Sequence, residues 1–277
     1  MVYPKQGGRK YVPSKDRCVN RCCKPNPCLQ GGECQEICDP NDIRFNCTCP
    51  RNFLGKRCEI RCYGSCLEAF QTGVKKPGTY AICDEDKEPF YVFCDRESGS
   101  KLVWTLIQSF SFERRAFFYD KGFGVDFPVG QNSSNIDWTF YRLSLSHMKY
   151  LKNVSSHFRA TCNFHADGLQ YTDYARTTLK ALSIFSTIEN KCTWFGFLNV
   201  RGNECRECTA LTSQREGRPW FINSYSSKPY GCQFDGRPGM GKGEHNFGWY
   251  ANDKVNPDHR CSSSPSSTTE HWFGSKK

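Results

Sequence analysis

The chain has 277 residues, of which 19 are cysteine, and carries 38 Lys and Arg against 28 Asp and Glu, a formal net charge of +10 at pH 7. In a reducing cytosol so many cysteines would be reactive liabilities, so the count points to an oxidising, extracellular compartment. With 38% hydrophobic and 14% aromatic residues a folded core is within reach, which excludes a wholly disordered chain. The best apolar stretch, Leu102 to Phe112, holds Gln108 and two serines and falls far short of the ~20 residues of a membrane-spanning helix.

Residues 1–17 read as a basic tail, with Lys5, Arg9, Lys10, Lys15 and Arg17 and none of the apolar core of a signal peptide, so a leader is expected to precede this sequence. These cations suit acidic glycans or acidic matrix proteins. Nucleic acid is disfavoured, because the basic residues are dispersed and the compartment is wrong.

Cysteine density then divides the chain. Residues 18–66 hold eleven cysteines among few large apolar residues, while 67–277 hold eight among most of the Trp, Tyr and Phe. The first region must be stapled; the second can bury a core. The spacing Cys23-x4-Cys28-x5-Cys34-x12-Cys47-x-Cys49-x8-Cys58, with Pro25-Asn26-Pro27, Gly31-Gly32 and Phe53-x-Gly55, resembles the EGF-like module, here over residues 18–61. The resemblance implies the disulfides Cys23 to Cys34, Cys28 to Cys47 and Cys49 to Cys58; spacing alone does not choose among the pairings six cysteines allow. Cys18, Cys22, Cys38 and Cys62 are extra to the pattern, and Cys22 competes with Cys23 for the first place. Calcium binding of the EGF type is not expected: Asp16 is separated from Cys23 by a basic stretch, Pro40 stands where a ligand would, and Asp39, Asn41 and Asp42 suit a turn.

From residue 62 the order Cys62-Tyr-Gly-Ser-Cys66-Leu-Glu-Ala-Phe70, Gly78 to Ile82, Pro89 to Asp95 and Val103 to Gln108 resembles the opening of the fibrinogen C-terminal-like domain. That resemblance implies a cysteine-led helix, three antiparallel strands and a disulfide between Cys66 and Cys94. Locally, Leu67, Phe70 and Val74 recur at helical spacing before Pro77-Gly78, and two β-rich runs flank the acidic turn 84–88. Trp104 and Ile107 read as core. Arg142 to Leu151 has a helical apolar period, and His157 to Phe164 and Thr193 to Val200 read as strands. After residue 110 the likeness fades: no aspartate-rich calcium loop appears, and only Cys232, Gly248-Trp249-Tyr250 and Cys261 match later elements. The domain is expected over 62–261, followed by a Ser/Thr-rich tail over 262–277, whose low-complexity tract Ser262 to Thr269 reads as a flexible linker or an O-glycosylated stretch. With no closing strand expected after that tract, the sequence reads as cut short at both ends. The fold class is therefore α+β: a disulfide-rich EGF-like β module and a mixed, mainly antiparallel fibrinogen-like domain.

Asn46-Cys-Thr48, Asn132-Ser-Ser134 and Asn153-Val-Ser155 are acceptor sequences for N-linked glycans, with Asn132 in the best loop. Gly236 to Gly243 nearly spells a phosphate-binding loop but lacks the final hydroxyl and contains Pro238, so it reads as a flexible surface loop. Cys205-Arg-Glu-Cys208 reads as structural half-cystines, with no second pair for a metal; His165, His245, His259 and His271 are scattered, and His147 and His165 read as packing or surface residues. No catalytic constellation, cofactor or metal site is expected.

The whole arrangement is similar to secreted cnidarian proteins that join an EGF-like module to a diverged fibrinogen-like domain, including proteins of the coral skeletal organic matrix. It implies a non-enzymatic matrix or adhesion protein, with a soluble glycan-binding, lectin-like protein as the alternative. An odd cysteine count leaves at least one thiol for a partner outside the chain, so an intermolecular disulfide is a further expectation.

Overall fold

The computed structural model describes residues 22–39, 42–84, 89–216, 218–224, 230–251 and 253–276. The basic tail, with Lys5, Arg9 and Lys10, lies outside the described residues, as do Cys18, the turn at 40–41 and residues 85–88 of the acidic turn. The chain divides into two compact units, Met1–Cys62 and Tyr63–Lys277.

The first unit is built on two strand pairs. Strands β1 (Glu33–Asp39) and β2 (Asp42–Thr48) form an antiparallel hairpin in which Cys34 faces Cys47. A second pair joins β3 (Phe53–Leu54) to the start of β4 (Ile60–Tyr63). The buried side chains described here are Cys28, Cys58 and Cys62. The interior is therefore cystine sulfur instead of hydrocarbon, as expected of a unit too small to bury enough apolar surface. Gly32 belongs to that interior: a Cβ there would stand 2.8 Å from Cys58 Sγ.

The second unit opens with α1 (Cys66–Gln71). Ser65 Oγ accepts from Glu68 N, and the Glu68 carboxylate accepts from Gly64 N, a reciprocal cap that fixes the helix start. Strands β5 (Gly78–Cys83), β6 (Pro89–Arg96) and β7 (Leu102–Ser111) follow as an antiparallel succession. After a 3-10 segment (Phe112–Phe118) come β8 (Phe140–Arg142), α2 (Leu145–Asn153), β9 (His157–Cys162), α3 (Phe164–Asp167), β10 (Tyr174–Thr178), β11 (Ile188–Val200), β12 (Asn203–Arg215) and β13 (Arg218–Ile222). A small hairpin, β14 (Glu244–His245) with β15 (Trp249–Tyr250), precedes the last strand, β16 (Thr268–Lys276).

The sheet of this unit runs β13-β12-β11-β10-β9-β16-β7-β6-β5, with β8 on the far half of β7. All ten residues of β7 are buried, so layers cover both of its faces. The described helices are short, six, nine and four residues, and the unit is dominated by sheet instead of balanced between helix and strand.

The largest departure from expectation is at the C-terminal end. Residues 262–276 do not form a flexible tail. Thr268 to Ser275 are buried, and β16 lies between β7 and β9, pairing with both. The serine tract before it is a packed turn: Ser267 is buried, and Ser267 O accepts from Phe112 N. The reason is compositional. Thr-Thr-Glu-His-Trp-Phe is a β-branched and aromatic run, and the Ser-rich turn beside it disguises a strand. Gly274 is required by this placement, since a Cβ would meet the Trp104 ring at 2.6 Å.

Two buried cations organise the core. Arg159 on β9 sits 4.6 Å from the Trp104 ring centroid and 4.4 Å from that of Trp272, and donates to Asp95 Oδ2 at 2.8 Å. Arg142 on β8 donates to Gln108 Oε1 and to the carbonyls of Lys121, Gly122 and Val125, tying a long loop to the sheet. Burial pulls its pKa down to about 10, opposed by Asp126, so it remains charged at neutral pH.

Candidate functional site

A pocket of about 460 Å³ opens between the Gly236–Gly243 segment and the loop before Ser262, lined among others by Phe112, Met240, Lys242, Tyr250, Val255 and Asp258. The buried Glu244 also lines it. Glu244 Oε2 accepts from Gly241 N at 2.9 Å and Asn256 Nδ2 at 2.6 Å; Oε1 faces His259 Nδ1 at 3.0 Å and accepts from Ser262 Oγ at 2.5 Å. Arg201 Nη1 stands 3.7 Å from the same carboxylate. On the other side of the imidazole, His259 Nε2 lies 3.7 Å from Asp173 Oδ1. Asp173 is held in turn by Arg201 N at 2.7 Å and Arg260 N at 2.9 Å, with its backbone at φ 52°.

Burial alone would raise the Glu244 pKa. The hydrogen bond and charge of His259, with Ser262 and the Gly241 amide, outweigh that and hold the carboxyl well below the usual carboxylate range. Serine, histidine and two carboxylates are the residue types of a hydrolase, but their arrangement is a clamp. Ser262 is 1% and His259 0% exposed, and the serine hydroxyl is spent on Glu244 instead of facing the pocket. Both Glu244 oxygens are taken up by donors, which leaves poor ligands for a hard cation. Cys162, His259 and Cys261 come within 4.8 Å of one another, but the two sulfurs are joined as a disulfide, so the cluster supplies no thiolate for a metal.

The same clamp corrects the reading of Gly236 to Gly243 as a flexible loop. Arg201 donates to Gly236 O and, at 2.8 Å, to Pro238 O, while Asn256 Nδ2 reaches Gly239 O at 2.9 Å. The segment is pinned through its carbonyls and forms one wall of the pocket.

The structure bonds Cys23 to Cys34, Cys28 to Cys47, Cys49 to Cys58 and Cys66 to Cys94. It also joins Cys162 to Cys261, Cys192 to Cys232 and Cys205 to Cys208, pairings that spacing did not reveal. Cys62 and Cys83 are disulfide-bonded as well. Asn46 lies on β2, Asn132 in a turn and Asn153 at the end of α2, and all three are exposed. His147 stacks on Phe90 at 3.9 Å and His165 on Trp138 at 5.0 Å. His271 is fully buried, with Nδ1 facing Gln108 Nε2 at 3.1 Å and Nε2 facing Phe247 O at 2.9 Å; burial lowers its pKa to about 3, so it is a neutral stitch in the core. Trp104 Nε1 donates to buried Glu97 at 2.8 Å. Sequence reasoning missed Glu244, Asp173 and Arg201 altogether. They are 28 to 71 residues apart and carry no motif, so only the folded loops bring them together.

No family model matches the sequence. Tissue-type plasminogen activator of Bos taurus is 23% identical over 226 residues, which is 82% of this chain and 33% of that protein. Versican core protein of Bos taurus is 40% identical over 55 residues, 20% of this chain and 1% of the relative. Human Delta-like protein 3 is 53% identical over 38 residues, 14% of this chain and 6% of the relative. The chain thus spans a third or less of the length of these curated relatives. It is weakly similar to extracellular, EGF-containing proteins.

Proposed function

We propose that the chain is a non-enzymatic, secreted matrix or adhesion protein: an EGF-like module joined to a diverged fibrinogen-like domain, N-glycosylated and serving as a cross-linked spacer and contact surface. The observation that carries this reading is the pattern of covalent ties. Seven disulfides are defined by position among the described residues, and in the first unit they replace the hydrocarbon core. Such a chain folds only where thiols are oxidised. Weak similarity to extracellular EGF-containing proteins supports the same compartment.

On the likeness in domain order, the setting we propose is the organic matrix of a calcified skeleton. There the protein would link macromolecules instead of nucleating mineral, because a +10 chain does not concentrate calcium. The test is electrophoresis of the secreted protein with and without reductant, together with disulfide mapping by mass spectrometry. The expected result is near-complete oxidation with the EGF-type pairs and Cys66 to Cys94 intact. Free thiols at half of the cysteines would overturn the extracellular reading.

A further inference from the structure

A second pocket, of about 410 Å³, opens at one end of the large sheet and shares no lining residue with the first. Six neighbouring strands contribute to it: Lys101 precedes β7, Lys276 ends β16, His157 begins β9, Arg176 lies on β10, Trp194 on β11 and Glu207 on β12. Pairing of Lys276 with Leu102, and of Gly274 with both Trp104 and His157, sets the first three side by side although 56 to 175 residues separate them in the chain.

Three cations line the pocket against one carboxylate, Glu207. Arg176 is one-third exposed, with Nη1 3.8 Å from the carboxylate of the buried Glu97. Burial first, then the charges of Arg176 and Lys276, lower the His157 pKa, opposed by Glu97. Beside the cations lies Trp194, 40% exposed on a molecule whose Trp104, Trp220 and Trp272 are fully buried. Thr177 Oγ1 fixes the strand by donating to Trp194 O, and the indole edge lies over Gly196, where a Cβ would stand 3.2 Å from the ring.

We infer that this pocket binds a sulfated saccharide, the sulfates held by Lys101, Arg176 and Lys276 and a sugar ring laid against Trp194. Charge-assisted bonds from Lys and Arg suit permanently ionised oxyanions, and the flat indole suits the C–H face of a pyranose. An acidic peptide would use the cations but leaves the indole idle. The inference deepens the extracellular reading above, on which it rests, by assigning the anionic partner to a place in the fold.

The experiment uses the full chain and a sulfated glycosaminoglycan hexasaccharide, its chemically desulfated counterpart, and poly-aspartate as probes. Binding is read by calorimetry and intrinsic tryptophan fluorescence. The sulfated probe is expected to bind with a salt-sensitive affinity and to change the fluorescence. Lys101→Glu with Lys276→Glu, both on exposed side chains, should weaken binding at least about tenfold, and Trp194→Ala should weaken it several-fold and remove the fluorescence change. Equal binding of the desulfated probe, or equally Trp194-dependent binding of poly-aspartate, would overturn the inference. So would full affinity in the pocket variants with loss on charge reversal of Lys5, Arg9 and Lys10; in that case the anionic partner stands and only its location falls. Absence of binding by any form overturns the pocket, while disulfide mapping separately decides the extracellular reading.

Discussion

Glu270 offers a direct test of the core. It is the third residue of β16, fully buried, and accepts from Thr161 Oγ1 at 2.7 Å, from Phe164 N at 3.1 Å and from Thr268 Oγ1. Burial pushes its pKa up to about 7, against those hydrogen bonds and the distant charge of Arg260. The folded protein therefore holds a proton on Glu270 that the unfolded chain has released. Stability from this group is fully present below the ordinary pKa of 4.5 and is lost as pH rises through about 7. The full difference is worth about 3 kcal/mol, of which about 2–3 kcal/mol falls between pH 5 and pH 8. Buried histidines slope the other way: His271, lowered to about 3, and His245, lowered to about 4, gain stability as pH rises toward 6.5. The total pH profile thus mixes opposing contributions, and the variant Glu270→Gln isolates one. Urea unfolding of both proteins at pH 5 and pH 8, with disulfides intact, should show the wild type losing about 2–3 kcal/mol relative to the variant. A difference between the two proteins that stays constant across this range would refute the reasoning.

Other consequences are equally concrete. Gly274→Ala forces a methyl group against Trp104 and should cost about 1–3 kcal/mol, seen as a lower thermal midpoint. Replacing Cys162 and Cys261 together by Ala opens a span of 99 residues and should cost about 4–5 kcal/mol, whereas the same change at Cys205 and Cys208, three residues apart, should cost about 2 kcal/mol. Denaturant midpoints of the two double variants should rank accordingly. Arg159→Ala strands buried Asp95 and should cost about 3–5 kcal/mol, while Arg159→Met with Asp95→Asn should recover a large part of the loss in calorimetric unfolding.

The readable parts of the chain were those in which local chemistry and tertiary role coincide. Leu67, Phe70 and the Pro77-Gly78 breaker mark a helix that occupies Cys66–Gln71, and the β-rich runs at 78–83 and 89–96 are strands. The helical period of residues 142–151 is realised from Leu145 onward, but Arg142 belongs to β8, where its guanidinium serves as a clamp that no period encodes. At the C-terminal end the serine-rich composition masks the Thr-Thr-Glu-His-Trp-Phe run that forms β16 between β7 and β9. Both pockets were invisible for a single reason. Their polar groups come from strands and loops far apart in sequence, and a lone Glu244 or Lys276 carries no signal until β16 and the pinned loops place it.

The charge excess also gains a location. Among the described residues Arg115, Arg142, Arg159 and the side chain of Arg201 are buried, as are Asp95, Glu97, Asp173, Glu244 and Glu270. Four interior cations against five interior carboxyl groups nearly cancel, so the surplus behind the +10 lies outside the core. Interior pairs are insensitive to salt, because solvent ions do not reach them, while exposed cations are screened over about 8 Å at physiological ionic strength. Stability should therefore change little between low and moderate salt, and binding to an anionic partner should change strongly. Parallel titrations of unfolding and of sulfated hexasaccharide binding against sodium chloride separate the two; a protein whose folding and binding weakened together would show that the surface charges, not the buried clamps, hold the sheet.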